Sequence, residues 1–123
     1  MAFKVVVKRY TTSNQKIGAR VVIKQPFASY GDSDFNAEHT FTVPHQSGKY
    51  TIELYNPSDY YAYSKMQTNL PDLSGFDRLF DDKNKKYIGV KFTFSPKDNN
   101  AYYVNVYYAP ANVVKVRSSI SDG

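Results

Sequence analysis

At 123 residues with 41% hydrophobic side chains, the chain suits one folded domain and is too apolar for a disordered one. The absence of cysteine excludes disulfides, thiolate catalysis and cysteine-ligated zinc, so packing alone must hold the fold. The formal charge of +5 is unevenly spread: residues 1–31 carry six bases and no acid, residues 32–82 nine acids against three bases, and residues 83–123 seven bases against two acids. If the outer thirds of the chain meet, one surface is cationic and another anionic.

Phe3, Val5 and Val7 alternate with Lys4, Val6 and Lys8, which predicts a first strand with its odd positions in a core. Ile17, Ala19, Val21 and Ile23 repeat the pattern and leave Arg20, Val22 and Lys24 outside. Phe41 and Val43 mark a third strand, and Tyr50, Ile52 and Leu54 a fourth with Thr51, Glu53 and Tyr55 on its other face. Tyr60 to Met66 is an aromatic fifth. Leu70, Leu73, Phe76, Leu79 and Phe80 then change to near-helical spacing, with Asp72 or Ser74 available as a cap, so one short helix is expected near 72–81. Strand alternation returns at Ile88, Val90, Phe92 and Phe94, again at Tyr102, Val104, Val106 and Tyr108, and ends with Val114 and Val116. Pro26, Pro44, Pro57, Pro71, Pro96 and Pro110 lie beside the expected strand ends, and Ser95-Pro96-Lys97-Asp98-Asn99-Asn100 has turn chemistry.

Short strands with regular breaks predict an all-β, single-domain antiparallel β-sandwich, Ig-like or transthyretin-like, of about seven or eight strands. Its expected span is residues 1–117, with 118–123 as a loose tail. Ile17-Gly18-Ala19-Arg20-Val21-Val22-Ile23, followed by Ser47-Gly48-Lys49-Tyr50-Thr51-Ile52-Glu53-Leu54, resembles the opening strands of transthyretin-like or carboxypeptidase-regulatory-type sandwich modules. That resemblance covers the first half of the chain and implies a mostly non-catalytic module. The apolar run at Val5-Val6-Val7 is shorter than the core of a signal peptide, about 7–15 residues, and no stretch approaches a membrane span of about 20. A cytoplasmic or virion location is expected.

Few residues suit catalysis. His39 and His45 are the only histidines, and no His-Glu-x-x-His spacing or Gly-x-Ser-x-Gly elbow accompanies them. Ser47-Gly48-Lys49 lacks the first glycine and the Ser/Thr of a phosphate-binding loop and reads as a hairpin turn. Gly31-Asp32-Ser33-Asp34 and Asp81-Asp82 lack a calcium-loop pattern and read as solvated turns. No catalytic residue, metal or cofactor is expected.

The outward positions carry more information. Lys4, Lys8, Arg20, Lys24, Lys91, Tyr103, Tyr107, Lys115 and Arg117 are the predicted interaction surface, and Asp32, Asp34, Asp77, Asp81 and Asp82 the acidic counter-surface. Opposite patches on one molecule permit head-to-tail contact, and tyrosine supplies interface area at low entropic cost. The expected role is therefore a non-enzymatic structural protein that assembles with copies of itself or with other subunits of a larger particle, such as a virion or tail. Two alternatives are a carbohydrate-binding module using Tyr55, Tyr60, Tyr61 and Tyr63, and a basic β-sheet that binds nucleic acid.

Overall fold

A computed structural model describes residues 2–28 and 31–111. The expected strand at Val114 and Val116, the tail at 118–123, Lys115 and Arg117 all lie outside the described residues. The strands are β1 (Ala2–Thr11), β2 (Val21–Lys24), β3 (Asp32–Asp34), β4 (Glu38–Pro44), β5 (Tyr50–Tyr55), β6 (Tyr61–Thr68), β7 (Ser74–Asp81), β8 (Lys86–Phe94) and β9 (Ala101–Pro110). They form a β-sandwich with a four-stranded sheet ordered β4-β1-β9-β6 and a five-stranded sheet ordered β3-β2-β5-β8-β7. β1 and β9 pair in parallel, with Val7 beside Val104, whereas the other neighbouring strands run antiparallel.

Alternation places the core as the apolar pattern requires. Phe3, Val5, Val7, Phe41, Val43, Tyr102, Val104, Val106 and Tyr108 of one sheet meet Val21, Ile23, Tyr50, Ile52, Leu54, Val90, Phe92 and Phe94 of the other, all buried. Phe3 is a central aromatic contact, edge-on to Tyr50 at 5.0 Å and to Phe94 at 6.0 Å between ring centroids. The Tyr50 hydroxyl donates to the Pro44 carbonyl at 2.5 Å and accepts from the Gln46 amide at 2.7 Å, which fixes the connection through Ser47-Gly48-Lys49. That connection crosses from one sheet to the other, so it is not a hairpin turn. Val22, expected outside, does lie on the outer face opposite Ser33 and Glu53, but it is buried there.

The expected helix near 72–81 is replaced by β7. Asp72 and Gly75 adopt positive φ angles of 56° and 64°, outside the helical region, and Asp77, Arg78 and Leu79 pair with Lys91, Val90 and Gly89. The near-helical spacing did not mark one buried stripe: Leu70 enters the core, whereas Leu73, Phe76 and Phe80 are 45–54% exposed. Gly89 explains how β8 fits between β5 and β7. A Cβ there would stand 2.2 Å from the Leu54 carbonyl oxygen, so only glycine permits this backbone approach.

Candidate interaction surfaces

β1 continues its alternation beyond the apolar run, which sends Arg9 and Thr11 inward and Lys4, Lys8 and Tyr10 outward. Register with β9 brings Tyr103, Asn105 and Tyr107 onto the same outer face, and β6 adds Lys65 beside Tyr107. Tyr10 and Tyr107 stack at 5.5 Å between centroids, and the Lys65 ammonium lies 5.2 Å from the Tyr107 ring. Lys4, Lys8, Tyr103 and Tyr107 face outward and share one face because strand order makes β1 and β9 neighbours. Tyr10 and Lys65 belong with them and were not among the predicted residues; Tyr10 shares its parity with Lys4 and Lys8, whereas a register shift between Tyr63 and Lys65 hides the second.

Arg20, Lys24 and Lys91 are separated from that face by the whole sandwich. Arg20 precedes β2 and its guanidinium lies 4.9 Å from the Tyr55 ring. Lys24 pairs with Glu53 at 3.2 Å, and Lys91 stands in register between Glu53 and Asp77. The outer face of the five-stranded sheet is consequently a charge-compensated ladder. The Tyr55 hydroxyl donates to Glu53 at 3.0 Å, and burial together with the neighbouring carboxylate raises its pKa.

The predicted acidic residues do not form one surface. β3 and β7 are opposite edges of the five-stranded sheet, which parts Asp32 and Asp34 from Asp77, Asp81 and Asp82. Asp81 accepts from the Asn84 side chain at 2.7 Å and the Lys83 amide at 3.0 Å, bonds that lower its pKa and close the β7–β8 turn. Asp34 is held inside instead. Its Oδ2 accepts from Arg9 Nη1 at 2.8 Å, with Arg9 fully buried and the Asp34 side chain 12% exposed. Burial opposes ionisation of Asp34, but hydrogen bonds from the Asn36 amide and from Arg9 outweigh it, so its pKa falls below the ordinary value. Burial likewise lowers the Arg9 pKa, with Asp34 acting in the opposite sense.

His39 packs edge-on against Phe41 at 4.6 Å, with Nδ1 3.8 Å from Asp34; His45 Nε2 lies 3.1 Å from the Pro96 carbonyl. These contacts orient the two rings. Among the described residues, no group of three or more His, Asp or Glu side chains is arranged to hold a metal ion. No described helix is long and apolar enough to cross a membrane.

The four tyrosines proposed as a ligand site are dispersed. Tyr55 lies on the outer face of β5, Tyr60 is 62% exposed ahead of β6, and Tyr61 and Tyr63 pack against the core. Tyr63 also borders an open cleft of about 1010 Å³ between β6 and the β7–β8 pair, with Phe76, Arg78 and Tyr87 on its other side. Tyr63 and Phe76 are 5.7 Å apart, and Arg78 lies 5.1 Å over Tyr87. Beyond the cleft, β7 is an edge strand with no further neighbour among the described residues, and Leu73, Phe76, Phe80 and Tyr87 around it are 45–57% exposed. No protein-family model matches the chain, and no curated protein matches it.

Proposed function

We propose that the chain is a non-enzymatic interaction protein that assembles with copies of itself or with other subunits of a larger particle, in the cytoplasm or in a virion-like or tail-like structure. The supporting observation is the β7 edge. An edge strand offers unpaired backbone groups, and natural proteins usually blunt it with charge, proline or a covering element. β7 carries Asp77, Arg78 and Asp81, but Leu73 just ahead of it, Phe76 and Phe80 along it and Tyr87 on the neighbouring β8 each leave about half of the side chain exposed, apolar area suited to burial in a subunit contact.

Leu73→Lys combined with Phe80→Lys is expected to abolish assembly without loss of fold, because both side chains are 45% exposed. Light scattering coupled to size-exclusion chromatography should show an oligomeric parent and a monomeric variant with an unchanged far-ultraviolet circular dichroism spectrum. A parent that stays monomeric at every concentration, or a variant that assembles equally well, would refute self-assembly through β7.

A second reading, carbohydrate binding, is favoured by the cleft, where Tyr63, Phe76 and Tyr87 offer rings and Arg78 and Asn56 offer hydrogen-bond donors. Titration with oligosaccharides, read by tyrosine fluorescence, separates the two. Saturable quenching lost in Tyr87→Ala would favour the ligand site over assembly.

A further inference from the structure

We propose that the outer face of the four-stranded sheet binds single-stranded nucleic acid, with Lys4, Lys8 and Lys65 on the phosphates and Tyr103 and the Tyr10–Tyr107 pair stacking on bases. This face lies on the opposite side of the sandwich from the charge-compensated sheet and does not depend on assembly through β7.

The parallel pairing of β1 and β9 creates the surface. It sets Lys4 beside Ala101, Val6 beside Tyr103, Lys8 beside Asn105 and Tyr10 beside Tyr107, so cations and rings alternate across two neighbouring strands. Lys4 and Lys8 are separated by about 13 Å along β1 at the rise of an extended strand. None of Lys4, Lys8 and Lys65 forms an ion pair among the described residues, whereas Lys24 and Lys86 of the other sheet do. Glu38 is the one carboxylate that the register places on this face; it faces Lys8 from the edge strand β4.

The rings are held for stacking. Tyr103 is 44% exposed, while its amide donates to Asn69 Oδ1 at 2.8 Å and its carbonyl accepts from the Thr68 hydroxyl at 2.6 Å, which pins the backbone beneath it. Lys65 over Tyr107 and the Tyr10–Tyr107 stack order the second pair of rings, which are partly exposed, Tyr103 being the more open ring. Positive charge that tracks a backbone, joined to aromatic faces that accept any base, is the arrangement used for single strands. A membrane surface fits less well, because the other exposed large hydrophobics, Phe27, Phe35, Tyr60, Leu73, Phe76, Phe80 and Tyr87, belong to loops or to the other sheet. An acidic protein would use the lysines and cover the rings as well, so polyglutamate, an anion without aromatic bases, serves as the comparison that separates it from a single strand.

The test is fluorescence anisotropy of a labelled oligothymidylate against rising salt. The parent should bind at low salt. In Lys4→Gln/Lys8→Gln/Lys65→Gln, the slope of log affinity against log salt should shrink by about 2, since each phosphate contact of a single strand contributes about 0.7. Tyr103→Ala should weaken binding roughly 5- to 150-fold with the slope unchanged, the range for loss of one base–aromatic stack. Lys91→Gln on the other sheet should bind as the parent does. Each substitution alters an exposed or half-exposed side chain, and an unchanged thermal midpoint confirms the fold. Absence of binding at low salt, or a triple variant that binds like the parent, overturns the proposal. So does equal binding of polyglutamate or anionic vesicles with no effect of Tyr103→Ala, which would identify a general anion surface.

Discussion

Val104→Asp is expected to unfold the domain. Val104 is fully buried in β9, an interior strand of the four-stranded sheet, with Val7 on one side and Thr68 on the other. A carboxylate there enters the core between Val7 and Thr68, one inward position along from Arg9, which is in register with Val106 and already bound to Asp34, and the effective penalty for burying an unpaired ion is several kcal/mol. Since the net stability of such a domain is about 5–15 kcal/mol, the substitution removes most or all of it. Val104→Ala loses apolar contact alone and should cost about 1.5–3 kcal/mol. Far-ultraviolet circular dichroism with urea titration distinguishes the two. A folded Val104→Asp variant of near-parent midpoint would show that the two faces of β9 are assigned the wrong way round.

The second large effect is expected at Asp34. Asp34→Ala leaves the Arg9 guanidinium buried with its charge unpaired, and breaking a buried pair in this way costs about 3–5 kcal/mol. Arg9 Nε and Nη2 have no partner among the described residues, so the pair is not well compensated even in the parent. Arg9→Met in the Asp34→Ala background should therefore recover much of the loss, whereas a simple gap left by the missing carboxylate would not be repaired. Equal stability of the single and double variants would mean that charge burial is not the cause.

The same pair sets a pH dependence. Asp34 has a lower pKa folded than unfolded, so the unfolded chain binds more protons as the solution is acidified. Its contribution is complete above the unfolded value of about 3.9 and is lost as pH falls through the folded value. Thermal midpoints should fall steeply below about pH 4 in the parent and less steeply in Arg9→Met/Asp34→Ala. Asp81 is lowered too, but it is exposed and screened, and the double variant leaves it untouched. An acid limb of the same steepness in both proteins would remove Asp34 from the account.

Strands with strict alternation were legible from residue type alone. β1, β5, β8 and β9 each bury one parity of Phe, Tyr, Ile, Leu or Val, and a period of two admits few alternatives. β7 was not legible because Leu70, Leu73, Phe76 and Leu79 mix a core residue with edge residues, and their three-residue spacing imitates a helical stripe. β3 is three polar residues whose strand character comes only from pairing with β2, which no local pattern encodes. The lysine and tyrosine positions were legible as outward-facing, but strand order decided which of them share a face. Arg9 was visible as a base and concealed as a core residue, although extending the odd positions of β1 past Val7 places it inside.

The parallel contact between β1 and β9 also governs when the molecule can fold. β1, the first described strand, waits for the last described one before its sheet has a centre, while β6 reaches that sheet only through β9. Domains dominated by such distant pairings fold in milliseconds to seconds, far more slowly than those built from neighbouring segments. Until residues 101–110 have left the ribosome, β1 lacks a neighbour along one edge and the core lacks Tyr102, Val104, Val106 and Tyr108. The order of strands along the chain thus delays closure of the four-stranded sheet until its ninth described strand is present.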